Sequence, residues 1–543
     1  MNYMDSKVTS FTLKQLVNVL AKSSPFSVTT VSEHRKHDAF DDIKRYLYIE
    51  QDIEKEFRKR LTQLKQGDIL FLCGSSGDGK SEILKRCHDE YKNEFYFHLD
   101  ATHSFAPDQS AIQALDQVFD TITESLQPLI LGINVGMLAN YAKEGAERHH
   151  HIKVLIDHFL EQGQQENNKC QFLDFEQYPK FYVAENQTNY SRFAKQLMQR
   201  LTAPNSSNPF YIAAKNDEEA KKDLRLVANF RLLARESVQD VIITNLFKAR
   251  LKKDQFITTR ALLDLIHHLL LGEGYLSDNL FYATDNELVQ RLSDFDPLLN
   301  HTKALDQFVL RYELELPDPE LADFLSVLEK EHIVFKKGKS ASLIRFFYLM
   351  RHESIGNNYH QLFASDFNEE LLEKYSRIWF LHKNYDGSDL LKNELRQFYM
   401  NEFIRSVFNY ANRNAPFLRQ GDLFLGEFGS IQVAAPLSVK PDYPEIQKKK
   451  LPKSAYFDAY LKFDNQSLIP ISVSLNLFEL IYKLNRGYRP NKYDKNAIVL
   501  LDGIIEQMTE FAQSMSILRF YEGRNCYEVH KDDGLFIVSK GVV

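Results

Sequence analysis

Gly74, Gly79, Lys80 and Ser81 carry the strongest chemical signal in the chain, set within Ile69-Leu70-Phe71-Leu72-Cys73-Gly74-Ser75-Ser76-Gly77-Asp78-Gly79-Lys80-Ser81. Their spacing is G-x-x-x-x-G-K-[ST], where glycines let the backbone curl around phosphate oxygens that a β-carbon would keep at a distance. In such a loop the amides of Gly74, Ser75, Ser76, Gly77, Asp78 and Gly79 face an anion, Lys80 neutralises the terminal phosphates, and Ser81 ligates magnesium. The expected ligands are therefore ATP and Mg2+. Five apolar residues before the loop read as a buried strand, and Ile83, Leu84 and Cys87 after it fall on one face of a helix. An ordinary glycine-rich turn is the competing reading, and the strand–loop–helix order argues against it.

Three further residues are candidates for the chemistry around such a loop. Glu94 to Asp100 reads as a strand ending in a carboxylate, and Asp100 can hold hydrated magnesium or orient water; equally, it can cap the structure begun by Thr102-His103-Ser104. Leu129 to Asn134 reads as a central strand ending in an amide, which can position water or sense a phosphate, or simply bond its own turn. Arg260 follows Thr258 and Thr259, either of which can cap a helix, so the arginine falls in the first helical turn. A cation there is not favoured by the helix dipole, so another reason for it is worth seeking, with a surface salt bridge or a phosphate-independent lid contact as the plain reading. No apolar run followed by Asp-Glu occurs; Leu173-Asp174-Phe175-Glu176 offers acids in an aromatic setting, and their reach towards a nucleotide stays open.

Other constellations are weaker. His149, His150 and His151, with His158 beyond, point in different directions on a helix and are expected to face solvent. Asp442 and Glu445 are too close in sequence for a strand-separated nuclease centre and read as a charged loop. The basic segment at Lys248, Arg250, Lys252 and Lys253 reads first as a solvated helix end, with a DNA backbone as the alternative, and Lys448, Lys449, Lys450 and Lys453 read as part of a basic linker. Lys483, Arg486, Tyr488, Arg489, Lys492 and Tyr493 mix cations with rings, which suits either double-stranded DNA or an acidic protein partner.

The elements that position these residues need more than one core. At 543 residues the chain exceeds the usual single-core range, and 44% hydrophobic with 26% charged residues is the composition of a soluble globular protein. A net charge of -7 excludes a global polycation that wraps nucleic acid. No stretch approaches a membrane span, no secretion signal is seen, and Cys73, Cys87, Cys170 and Cys526 form no close pair, so a cytoplasmic setting is expected. We expect an N-terminal helical segment over 1–60, with one amphipathic helix carrying Ile43, Tyr46, Leu47, Ile49, Ile53 and Phe57. A nucleotide-binding α/β core follows over 61–235, with Ala111 to Ile122 helical and Phe210-Tyr211-Ile212 a short strand. A helical lid over 236–275 and a helical domain over 276–414 come next, then a smaller α+β domain over 415–543. Strand material in the last includes Leu423 to Leu425, Ile431 to Ala434, Ile498 to Leu501 and Leu535 to Val538.

The stretches Phe71 to Leu84, Phe97 to Phe105 and Leu131 to Asn134 resemble the DptF component of DNA phosphorothioation-dependent restriction systems. The order of phosphate loop, Asn-ended strand and Thr-Thr-Arg helix resembles ATPases of the AAA type, whose helical lid presents an arginine to the nucleotide. These resemblances imply a P-loop NTPase core with a lid, acting with partner subunits in bacterial antiviral defence and restricting DNA that lacks the host's mark. They imply an ATP-dependent regulatory or motor subunit. A nucleotide-binding scaffold without turnover is the alternative, and a nuclease on this chain is the least favoured.

Overall fold

The computed structural model describes residues 11–21, 39–99, 101, 109–124, 127–162, 169–183, 190–253, 255–283, 285–337, 339–367, 370–448, 456–463, 466–523, 525–532 and 535–540. Two compact units make up the chain. One comprises Met1–Tyr182, Asn189–Ala249 and Phe256–Asn368; the other comprises Val183–Thr188, Arg250–Gln255 and Glu369–Val543.

The first unit is built on a parallel sheet of four strands: β1 (Ile69–Cys73), β2 (Tyr96–His98), β3 (Leu129–Ile133) and β4 (Cys170–Asp174), in the order β2-β3-β1-β4. Each residue of β1 is buried, because both faces of the sheet are covered. Phe71 points with Phe119, Leu131, Tyr141 and Ile156 into one core, while Leu70 and Leu72 join Phe57, Ile83, Leu84 and Leu173 in the other. The helices supplying those residues follow from the sequence. Following the short helix α1 (Leu13–Val17) and α2 (Ala39–Leu47), they are α3 (Asp52–Leu61), α4 (Lys80–Tyr91), α5 (Ala111–Glu124), α6 (Val135–Glu144) and α7 (His150–Gln162). Cys73 is level with Ile133 on one side and Asp174 on the other, so the ends of three strands meet at one edge. In open parallel sheets that carboxyl edge, flanking the strand where the order switches, is where ligands bind.

Beyond the sheet lie α8 (Arg192–Thr202), α9 (Pro209–Glu219), α10 (Leu224–Ala234), α11 (Glu236–Lys253) and α12 (Thr259–Leu271). Asn229, fully buried, donates to Leu270 O at 3.0 Å and accepts from Leu276 N at 2.8 Å, fixing the end of α12. Further on, Arg345 joins Asp296 at 2.6 Å and Asp278 at 3.1 Å, and Phe347 stacks on Phe363.

The second unit mixes helices with short antiparallel strands. Five strands, β5 (Asp422–Phe428), β6 (Ile431–Pro436), β12 (Ile517–Glu522), β13 (Asn525–Asp532) and β14 (Leu535–Lys540), form a sheet ordered β14-β13-β12-β6-β5. β7 (Val439–Pro441), β9 (Leu461–Phe463) and β10 (Gln466–Ser467) make a second sheet, and β8 (Phe457–Ala459) pairs with β11 (Ile471–Val473). Rings of Tyr375, Phe398, Phe457 and Phe478 form a continuous contact among the helices Glu370–Lys383 and Leu475–Leu484 and the strand β8.

Several local expectations are corrected. Phe210-Tyr211-Ile212 lies in α9, not in a strand: Asn208 accepts from Phe210 N at 3.0 Å and Pro209 occupies the first turn, a helix start where the sequence suggests a loop. Ile498 to Leu501 lies in the helix Lys495–Gln513, where Ala497, Leu501, Ile504 and Met508 are buried at helical spacing while Val499 is exposed. The single N-terminal helix is two, broken before Asp52 where Gln51 adopts an extended backbone. His149 is buried and lies 3.1 Å from Asp120, whereas His150 and His151 are exposed. The strands expected at Leu423 to Leu425, Ile431 to Ala434 and Leu535 to Val538 are present.

Candidate functional site

The loop Gly74 to Gly79 joins β1 to α4 at the carboxyl edge of the sheet. Gly77 and Gly79 have φ of 86° and 104°, a region that side-chain-bearing residues avoid. A β-carbon on Gly77 would also sit 3.0 Å from Arg260 Cβ, and one on Gly79 would sit 2.9 Å from Gln51 Nε2. Glycine is thus required at both positions by the turn, and at Gly77 also by the close approach of Arg260. Lys80 opens α4, and its ammonium donates to Gly74 O and Ser75 O, each at 2.7 Å. Ser81 follows in the same first turn. The loop, the N-terminus of α4 and Lys80 lie together at one end of the sheet, a place that favours an anion, while the amides of Gly74, Ser75 and Asp78 donate to Ile133 O, Asp78 Oδ2 and Ser75 O.

The structure joins Arg260 to this loop. Thr258 caps α12 by accepting from Ala261 N at 3.1 Å, which leaves Arg260 in the first turn, as the sequence predicts. The Arg260 amide donates to Gly77 O at 3.1 Å, and the Thr259 hydroxyl donates to Asp78 O at 3.0 Å. Gln51 Nε2 reaches the same Asp78 carbonyl at 3.4 Å. The loop is therefore held from outside by two elements distant in sequence, the start of α12 and the break between α2 and α3.

Asn134 stands directly after β3, level with the loop. Its Oδ1 accepts from Met137 N at 2.6 Å and caps α6, so the local role considered from sequence is one the side chain fills. Asp100 lies outside the described residues; β2, the strand leading to it, neighbours β3. Asp174 ends β4 beside the loop strand and accepts from Glu176 N at 3.0 Å. Burial pushes its carboxyl above the usual range, with the Lys80 charge opposing. Among the described residues, no group of three or more His, Cys, Asp or Glu is placed to hold a metal.

Sequence reasoning leaves the reach of Phe175 open and misses two participants, Gln51 and Lys180. Phe175 packs against Gly74, where a β-carbon would meet its ring at 2.8 Å. Gln51 and Lys180 carry no local signal, since only the fold brings residues 51 and 180 to residue 78. Lys180 Nζ lies 3.8 Å from Asp78 Oδ1, and both side chains are almost wholly buried.

The other candidates are placed elsewhere. In the second unit Lys252 pairs with Glu479 at 2.6 Å and Lys483 with the same carboxylate at 3.1 Å, which reduces the charge either offers a polyanion. Tyr488 donates to Asp494 at 2.9 Å within the turn leading to the helix Lys495–Gln513, while Tyr493 is exposed. Asp442 is buried and accepts from Ser467 at 2.6 Å, a structural arrangement. No helix among the described residues is long and apolar enough to cross a membrane. Compared with protein-family models, curated proteins and solved structures, the chain matches none.

Proposed function

We propose that this chain is a cytoplasmic ATP-binding subunit, regulatory or motor, of a bacterial phosphorothioation-dependent DNA restriction complex, with a P-loop NTPase core of AAA-like type. The observation that carries the reading is the attachment of α12 to the loop through Arg260 N to Gly77 O and Thr259 Oγ1 to Asp78 O. A change in loop shape is thereby a change at the start of a helix whose Leu262, Leu265 and Leu269 are buried, the kind of rigid element that transmits a local event. Gly74 to Gly79 and Lys80 would hold the phosphates and Ser81 the magnesium, with Asp100 as the associated carboxylate. Bound ATP supplies a highly charged terminal phosphate and a cleavable phosphoanhydride bond. Lys80 contributes a cation already anchored on two loop carbonyls, and Arg260 contributes a guanidinium from the helix that packs on the loop. The restriction context, the partner subunits and contact with double-stranded DNA rest on the family resemblance and on the cation-and-ring segment Lys483 to Tyr493.

A second reading, a scaffold that binds ATP without hydrolysing it, is favoured by one observation: the Asn134 oxygen is committed to capping α6. Equilibrium binding of a fluorescent ATP analogue and DNA-stimulated phosphate release, with and without partner subunits, separate the readings. Lys80→Ala is expected to weaken binding about 10- to 100-fold, the worth of a charge-assisted hydrogen bond. Binding without release under every condition would support the scaffold; absence of binding by the wild type would end both.

A further inference from the structure

Asp78 is an acid placed inside a loop that receives anions. Its side chain is turned inward and 0% exposed; Oδ2 accepts from Ser75 N at 2.6 Å, bracing the loop across its own turn. The other oxygen, Oδ1, has no hydrogen-bond partner and faces Lys180 Nζ across 3.8 Å. Lys180 comes from the segment after β4 and lies near the rings of Phe175 and Phe193, at 5.3 and 5.9 Å from their centroids. Burial raises the Asp78 carboxyl and lowers the Lys180 ammonium to about 8, so the attraction between them does not offset the loss of water at either end. A buried pair of this kind costs folding free energy relative to an apolar pair of the same volume. Stability therefore does not explain it, whereas its position behind the phosphate loop does.

We propose that Lys180 is a positioning residue of the nucleotide site: it cancels the charge of Asp78, so that the carboxylate can brace the loop at Ser75 without repelling the phosphates the loop receives. The inference rests on reading Gly74 to Ser81 as a triphosphate site. The electrostatic logic is simple. An uncompensated carboxylate a few ångströms behind the loop in a poorly hydrated setting opposes an incoming polyanion, and one nearby unit charge is worth about tenfold or more in affinity. Asparagine at 78 keeps the acceptor for Ser75 N–H and removes the charge, so it dispenses with the need for the lysine.

The test is a cycle in the full-length protein, read by the dissociation constant of a fluorescent ATP analogue at neutral pH. Lys180→Met is expected to weaken binding about tenfold or more, and Asp78→Asn/Lys180→Met to return it to within about threefold of wild type. Asp78→Asn alone is expected to bind at least as tightly as wild type, and this arm stands if Lys180→Met fails to fold. A double variant no better than Lys180→Met, or a tenfold loss in Asp78→Asn, would overturn the positioning role while leaving wild-type nucleotide binding intact. Failure of the wild type to bind any nucleoside triphosphate would instead remove the underlying site and this role with it.

Discussion

β1 and β14 are both short apolar runs, Ile69 to Cys73 and Leu535 to Lys540, and the fold treats them in opposite ways. Every residue of β1 is buried and every residue of β14 is exposed. β1 lies inside a parallel sheet whose crossovers place helices on both faces, while β14 is the outermost strand of an antiparallel sheet. Local hydrophobicity thus specifies strand in each case but does not specify burial, which is decided by what the topology brings over the strand. The candidate site sits at the end of the strand whose surroundings are most fixed, which is where a loop must be held to sub-ångström tolerance.

The largest expected contrast comes from the interior of β1. Phe71 is fully buried, stacks on Phe172 at 4.7 Å and touches Phe119 at 6.2 Å between ring centroids. Phe71→Ala is expected to destabilise the first unit by about 3–5 kcal/mol, read from the shift of its denaturant midpoint. A loss below about 1 kcal/mol would mean that the two-sided core does not hold β1 as described.

The second unit has its own dry interior, which acid should reveal. His382 is buried, with Nδ1 on Ile378 O at 2.8 Å and Nε2 on Tyr399 Oη at 2.9 Å. Burial lowers its pKa from 6.5 to about 4. The unfolded chain therefore takes up the proton first as pH falls, and the stability this histidine confers is present above 6.5 and lost on the way down to about 4. The loss is expected to be about 3 kcal/mol for the second unit, and His382→Asn should remove that part of the pH dependence. An unchanged acid profile in the variant would show that the imidazole is not the group being titrated.

Much of the site was legible because its requirements are local. The glycines, Lys80 and Ser81 are neighbours, and Thr258 with Arg260 form one cap, so residue type and spacing sufficed to place them on loop and helix. The attachment of that cap to Gly77 and Asp78 spans about 180 positions of sequence and has no local signature. The same holds for Gln51 and Lys180, each unremarkable in its own segment. Asn208-Pro209 misled in the opposite direction: residues that favour turns also cap helices, and only the burial of the following residues at 3.6-residue spacing distinguishes the two. His149 was misjudged for a related reason, since adjacent histidines on a helix necessarily face different surroundings.

The smallest expected effect is at β14, and it sharpens the contrast most. Phe536 and Val538 are 69% and 64% exposed, so truncating either removes little that folding had buried. Phe536→Ala is expected to change unfolding free energy by less than about 0.5 kcal/mol, against the several kcal/mol of Phe71→Ala for the same chemical change. The two differ only in what covers the ring. Val538→Lys should be equally neutral for stability yet lower concentration-dependent association in light scattering, because a charge on an outer strand disfavours pairing of exposed backbone between chains. If Phe536→Ala cost as much as about 2 kcal/mol in the isolated protein, β14 would have to be covered in solution, and the contrast between an enclosed and an open apolar strand would fail.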